Sequence, residues 1–346
     1  MQKRMPDKRI VIRHGHVLTM DPELGDIADG DVLIQGSQIA AVGPGLAAPG
    51  AAEIDARGMI VAPGLVDTHW HLWNTLLRSM SDGGAGYFRV TVGLGLLFGP
   101  DDVYQGTRLG CAEAINSGIT TVHDWCHNLR TPGHADGPRT ACGQIATLAG
   151  AGLLGPDLQV VHANCASDAE VAALAEAGCP VSVSPFSELL IGYGLPRTAD
   201  LLAAGLPVGL SVDSTALTGN ADMFAIMKLT QGLVNADAAD EFAMTARQAL
   251  ALGTIEGARS LGLGAVTGSL TPGKQADLIL VDTGAPNLGV FTDPAQMLVA
   301  AAQSANVHTV LCGGRFLKRD GALVTLDPVE IAAAARAALA GVRARA

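Results

Sequence analysis

The stretch Ala62-Pro-Gly-Leu-Val-Asp-Thr-His-Trp-His71 constrains this chain more than any other. An apolar run from Met59 to Val66 reads as one buried strand leading into His69 and His71. Side chains two apart on a strand point to the same side, so both imidazoles project from one strand end into one space. Two neutral imidazoles converging in this way suit a divalent first-row metal, most often zinc. A bare His-X-His on a surface strand carries little meaning. This one follows an interior strand flanked by Pro63-Gly64 and Asp67, which favours ligation.

The same stretch resembles the first barrel strand of the amidohydrolase superfamily, in its cytosine deaminase, chlorohydrolase and adenosylhomocysteine deaminase branch. The resemblance implies a TIM-type (β/α)8 barrel flanked by a small β-sandwich. It also implies a chemistry, in which metal-activated water attacks a carbon bearing an amino or other leaving group.

Composition agrees with a globular enzyme. Hydrophobic residues make up 49% of the chain and charged residues 16%, which excludes a disordered protein. A net charge of −11, with no basic cluster away from the termini, argues against a nucleic-acid partner. The six cysteines have no CxxC spacing, as expected of free thiols in a reducing cytoplasm. No secretory segment and no apolar run of about 18 residues is present, so no membrane span is expected.

Residues 9–60 read as short strands and turns, rich in β-branched residues and punctuated by Gly, Pro and Asp. His14 and His16 form a second His-X-His there, away from the expected barrel mouth, and are read as structural. The Gly-rich segment after His71 is expected to cover the mouth, with Trp70, Trp73 and Tyr87 either stacking on a planar ring or, as loop aromatics more often do, simply packing. Residues 101–118 have helical spacing, with Val103, Leu109, Ala112 and Ile115 on one face. "ITTVHDWCHN" then reads as a strand with His123 and His127 near its end, both candidate substrate contacts or structural hydrogen-bonding groups. A helix over roughly 140–151 and a strand ending at His162 follow. Ser167 and Glu170 form a capping box at the start of the next helix. "CPVSVSPFSE" reads as a strand with Glu188 just beyond its end, and a further strand ends at Asp213. This alternation predicts a parallel α/β sheet, with His69, His71, His162 and Asp213 at C-terminal strand ends, where such folds place catalytic groups.

From His162 onward the resemblance is close. "HANCASDAEVAALAEAGCPVSVSP" is similar to the sixth and seventh strands of the family, "VGLSVDSTALTGNADMF" to the eighth, and "GSLTPGKQADLILVD" to the return into the sandwich. The eighth-strand aspartate of the family, here Asp213, binds metal and takes a proton from the attacking water. Between His127 and His162 the resemblance fails. Strands three to five of the family have no counterpart, and residues 62–266 are few against about 250 for an ordinary (β/α)8 unit. The missing fifth strand normally supplies a metal-binding histidine and, in the deaminases, a proton-shuttling glutamate. His134 is the one histidine inside the gap. It either fills the ligand position or is a surface loop residue.

The reading is therefore a shortened metal-dependent barrel over residues 62–266. The sandwich is expected from 1–61 and 267–326, with a terminal helix over 327–346. One divalent transition metal, zinc or else iron, is expected on His69, His71 and Asp213, with His134 left open as a further ligand. Asp213 and His162 are the expected catalytic pair, and Trp73, His123, His127 and Glu188 the expected substrate contacts. Glu188 is either a substitute proton shuttle or a solvated loop carboxylate. The expected reaction is deamination of a small aminated heterocycle. The alternatives are a catalytically impaired homologue kept for ligand or partner binding, and a lyase or isomerase using the same metal. Five parallel strands leave bare edges, which predicts a homo-oligomer.

Overall fold

The computed structural model describes residues 9–80, 86–128 and 144–346. The strands are β1 (Arg9–Leu18), β2 (Asp26–Gln35), β3 (Gln38–Gly43), β4 (Ala52–Asp55), β5 (Met59–Pro63), β6 (Leu65–Trp70), β7 (Ile119–Asp124), β8 (Val160–Val161), β9 (Val181–Val183), β10 (Val208–Leu210), β11 (Leu278–Asp282), β12 (Val307–Cys312), β13 (Arg315–Arg319) and β14 (Ala322–Leu323). The helices are α1 (Tyr87–Gly95), α2 (Pro100–Asn116), α3 (Gln144–Gly150), α4 (Asp168–Ala177), α5 (Pro185–Ile191), α6 (Thr198–Ala203), α7 (Thr215–Thr218), α8 (Met223–Ala238), α9 (Ala246–Leu252), α10 (Ile255–Ser260), α11 (Pro294–Ala301) and α12 (Pro328–Ala344).

One sheet draws its strands from both ends of the chain, in the order β14-β13-β12-β11-β5-β1-β2-β3, with β4 paired to β1. Ile12, Val32, Ile34, Val61 and Leu280 fill its core. The remaining five strands among the described residues are parallel. β6 pairs with β7, and β9 lies between β8 and β10. A parallel bridge between Trp70 and Asp213 joins the two groups. Helices cover these strands, and Val181, Val183, Val208 and Leu210 pack in one cluster with Leu174, Phe224 and Leu250. Every residue of β9 and β10 is buried, the polar Ser182 included, as in a parallel sheet covered on both faces.

Three expectations need correcting: the strand Met59–Val66, the strand through Glu188 and the packing face of α2. The apolar run Met59–Val66 is two strands in different sheets, β5 against β11 and β1, and β6 against β7. The break falls at Gly64, where a Cβ would lie 2.1 Å from Thr120 Oγ1, so a larger residue could not pass between the layers. "SPFSE" is not strand: after Val183 the chain turns at Ser184-Pro185 into α5, with Pro at the first helical position. The segment after His71 is a short 3-10 helix, Leu72–Leu77, followed beyond the undescribed residues 81–85 by α1. The buried face of α2 is Asp102, Gly106, Gly110, Ala112 and Ala114, whereas Leu109 and Ile115 are only half-buried. Gly106 sits so close to the 3-10 helix that a Cβ there would lie 2.2 Å from the Trp73 carbonyl oxygen, and one at Gly110 would lie 2.7 Å from Leu72.

The last helix closes this side. Arg108 on α2 pairs with Glu330 on α12, Arg345 pairs with Asp102, and Leu339 packs against the cluster of Trp73, Leu77 and Val90. Lys318 on β13 is buried and donates to the Asn116 carbonyl at the end of α2, 2.8 Å away. No helix among the described residues is long and apolar enough to cross a membrane.

Candidate active site

Backbone bonds between β6 and the chain beyond β10 build the floor of the site. Asp213 N–H donates to the His69 carbonyl at 2.9 Å, and His71 N–H donates to the Asp213 carbonyl at 2.7 Å. The fully buried Asp67 carboxylate accepts from His69 N–H and from Val212 N–H, each at 3.1 Å, and so ties the same two segments from below. Burial pushes the Asp67 carboxyl well above the usual range. Asp213 itself has a left-handed backbone, φ 60°, as does His162, φ 70°. Such positions are strained for non-glycine residues and cluster where function requires them.

His69, His71 and Asp213 form the one group of three potential metal ligands among the described residues, with ligand atoms within 4.8 Å of one another. His69 Nε2 is 3.1 Å and His71 Nε2 3.4 Å from Asp213 Oδ1. Burial lowers both imidazoles, His71 to about 4, so both are neutral at pH 7. Burial alone would raise Asp213, but its bond to His69 and the surrounding imidazoles outweigh burial and keep it ionised.

One contact tests whether these residues fit a cation. His71 Nδ1 lies 2.8 Å from the Trp125 carbonyl, which can only accept, so Nδ1 carries the proton. In the neutral ring Nε2 is then a bare lone pair facing a carboxylate oxygen. Two acceptors held face to face repel unless a proton or a metal ion sits between them. The donor set fits zinc, and the carbonyl behind His71 is the kind of outer partner that orients a metal-binding imidazole.

The other candidates scatter. His162, after β8, brings its ring to 5.7 Å from that of His69 and is packed equally close to Tyr193. Burial lowers its pKa, but Glu188 and Asp213 more than offset this, so the pKa is raised. Glu188 is no solvated loop carboxylate. It is wholly buried on α5, with Oε1 3.1 Å from His162 Nδ1. His127 stacks edge-on against His71 at 4.6 Å and is held to about 4 by burial and by His71. His123 Nδ1 lies 3.2 Å from the Thr68 carbonyl and 3.0 Å from Gln159 Oε1, an arrangement that links β7 to the start of β8. Trp70 and Trp73 are buried in core clusters and lie over no open surface. Tyr87 lines the site from α1. Asn74 donates to its hydroxyl at 3.2 Å, and Ser214 Oγ donates to Asn74 at 3.1 Å. Burial and the charge of Asp213 raise the Tyr87 pKa. His134 lies outside the described residues. Sequence reasoning missed Trp125 and Tyr193. The first could have been found as the residue following the strand-end Asp124, whereas the second carries no local signal.

The amidohydrolase family model matches residues 60–156 and 130–317, most of the chain. The chain belongs to the amidohydrolase family. Amidohydrolases of this kind are metal-dependent hydrolases of carbon–nitrogen bonds. A 5'-deoxyadenosine deaminase of Methanosarcina mazei is 27% identical over 93% of this chain and 95% of its own. A 5-methylthioadenosine/S-adenosylhomocysteine deaminase of Syntrophobacter fumaroxidans is 28% identical with the same coverage of both chains. Among solved structures, an adenosine deaminase from Xanthomonas campestris with bound zinc superposes with a TM-score of 0.87, at 23% identity over 98% of this chain and 100% of that one. An atrazine chlorohydrolase from Arthrobacter aurescens complexed with zinc gives 0.82, at 20% identity over 95% and 100%. The fold is thus the TIM-barrel type of the amidohydrolases.

Proposed function

We propose that this amidohydrolase removes an amino group from an adenosine-derived or similar heterocycle, with one metal on His69, His71 and Asp213. The observation that carries the reading is the His71 lone pair held against Asp213 Oδ1 by the Trp125 carbonyl. Zinc, or else iron, supplies Lewis acidity and a nucleophile usable at neutral pH when bound there. Asp213 takes the proton of the attacking water at a carboxylate oxygen. His162 hydrogen-bonds the water or the substrate and stabilises developing charge. Tyr87, Tyr193 and His127 wall the space in which the ring is held.

We read the barrel as shortened, with the sandwich made by residues 1–61 and 267–326 and the barrel by 62–266. The alignment to the Methanosarcina mazei relative spans 418 positions against a chain of 346, so at least 72 positions have no counterpart here. The His123–Gln159 contact supports a direct approach of β7 to β8 across that gap. The same gap favours one second reading, a homologue that keeps the scaffold and the metal but has lost turnover.

Elemental analysis of protein made in zinc-supplemented medium, followed by ammonia release from a panel of aminated nucleosides, pterins and triazines, tests the proposal. At most one metal per chain and release from at least one panel member are expected. Metal content that does not fall in the His69→Ala, His71→Ala double variant would end the metal reading. Bound metal without ammonia from any substrate would favour the second reading.

A further inference from the structure

We infer that Glu188 is a positioning residue, which holds His162 with Nδ1 as the donor and leaves Nε2 as the ring's free acceptor in the site. The inference takes its kinetic consequence from the hydrolase reading, but its geometry stands alone.

Glu188 sits one turn into α5, and its own N–H bonds the Ser184 carbonyl. The side chain folds back so that Oε1 accepts from Ser184 N–H at 2.8 Å, at the end of β9. The same oxygen lies 3.1 Å from His162 Nδ1, at the end of β8. A carboxylate can only accept, so in the neutral ring Nδ1 is the donor and Nε2 bears the lone pair. The isolated imidazole prefers the opposite tautomer, so this arrangement needs a fixed acceptor. His162 is held equally firmly by its backbone. Its N–H donates to the Ser182 carbonyl at 2.8 Å, and it and Ala163 are both left-handed, φ 70° and 58°.

A helix-capping role alone would explain the bond to Ser184. It would not explain a carboxylate with no exposed surface, whose second oxygen, Oε2, is buried with no partner among the described residues. Buried carboxylates are costly unless a specific use retains them. The use visible here is the imidazole at the site.

The test uses the full chain loaded with zinc and labelled with 15N-histidine. Long-range 1H–15N correlation spectra report the tautomer, and His162→Gln identifies the His162 signals. At a pH alkaline enough for the ring to be neutral, wild-type His162 is expected as the Nδ1–H form. Glu188→Gln, which keeps an acceptor, should retain it, and Glu188→Met should shift the ring toward Nε2–H. The kcat for ammonia release should fall about 10- to 100-fold in Glu188→Met with KM little changed, the scale seen when partners that orient imidazoles are removed. Glu188→Gln should recover most of it. In a His162→Gln background the further loss from Glu188→Met should be under about two-fold, because residues acting as a unit are not additive. An unchanged tautomer in Glu188→Met, or an undiminished loss in the His162→Gln background, would overturn the inference. Should Glu188→Met fail to fold, Glu188→Asp withdraws the oxygen by one methylene and must shift the same signal. If no substrate yields ammonia, the hydrolase reading fails, and the tautomer still decides this inference.

Discussion

Gly106→Ala puts one methyl group between α2 and the segment that carries the His-X-His motif. The added Cβ would lie 2.2 Å from the Trp73 carbonyl oxygen and 3.0 Å from its carbon, where ordinary contacts begin at 3.4 Å. These are backbone atoms, so no side chain can swing aside, and the helix and the 3-10 segment must part by about 1 Å. Overpacking of this kind costs about 1–3 kcal/mol, of which the better helix propensity of alanine returns about 1. Gly232→Ala on α8, where nothing lies within 4 Å, is the control. It should stabilise by about 0.5–1 kcal/mol. Urea midpoints of the two variants are therefore expected to move in opposite directions. His71 is only two residues from Trp73, so a misplacement of about 1 Å also predicts a loss of about 100-fold in turnover. Equal stability of the two variants, with zinc content and turnover unchanged in Gly106→Ala, would refute the claim that α2 seats the motif.

Asp213→Asn should abolish ammonia release by orders of magnitude and lower zinc content with the fold intact, since a carboxamide ligates weakly and takes no proton; turnover in a folded Asp213→Asn protein would remove Asp213 from the mechanism. Asp67→Ala strands two buried N–H groups, each worth about 1–3 kcal/mol, so a combined loss of about 2–6 kcal/mol is expected in urea denaturation; a loss below about 1 kcal/mol would show that the tie between β6 and Val212 carries little. Burial lowers the Lys318 pKa from 10.5 to about 8. Between those values the unfolded chain binds the proton that the folded chain has released, so stability rises with pH, by up to about 1.4 kcal/mol per unit. Below pH 8 both states hold the proton and the slope vanishes. Lys318→Met should lose that rise, and parallel pH titrations of the urea midpoint from 8 to 10 check it.

Two parts of the site are legible in the sequence because they are set by local spacing. His69 and His71 meet at Asp213 since one strand end presents residues two apart on one side, and Asp213 follows an unmistakably buried strand. Among the parallel strands, β6, β9 and β10 are buried at every residue. Other features depend on what lies opposite. Met59–Val66 gives no hint that Gly64 is threaded past Thr120 and splits the run between two sheets. The face of α2 that packs is its glycine face, chosen by the closeness of Trp73 and not by hydrophobic content. Glu188 is hidden in a stretch whose β-branched start reads as strand, and its burial follows from His162, a residue distant in sequence. Trp73 and Trp70 look like ring-stacking residues by composition, but the alternation along β6 and the tight seat of the 3-10 helix turn them into the core.

The bonds from Asp213 to His69 and His71, with Asp67 beneath them, are made by strand ends and do not involve the helices above. Tyr87 on α1 hangs over this floor from a separate segment and is joined to it through Asn74 and Ser214, and Tyr193, beyond α5, packs against the His162 ring. Chemistry and selectivity are therefore inherited on different pieces of chain. Replacements on α1 can alter which ring is admitted while His69, His71 and Asp213 keep their places, so a lineage built on this plan can change diet without relearning how to cut.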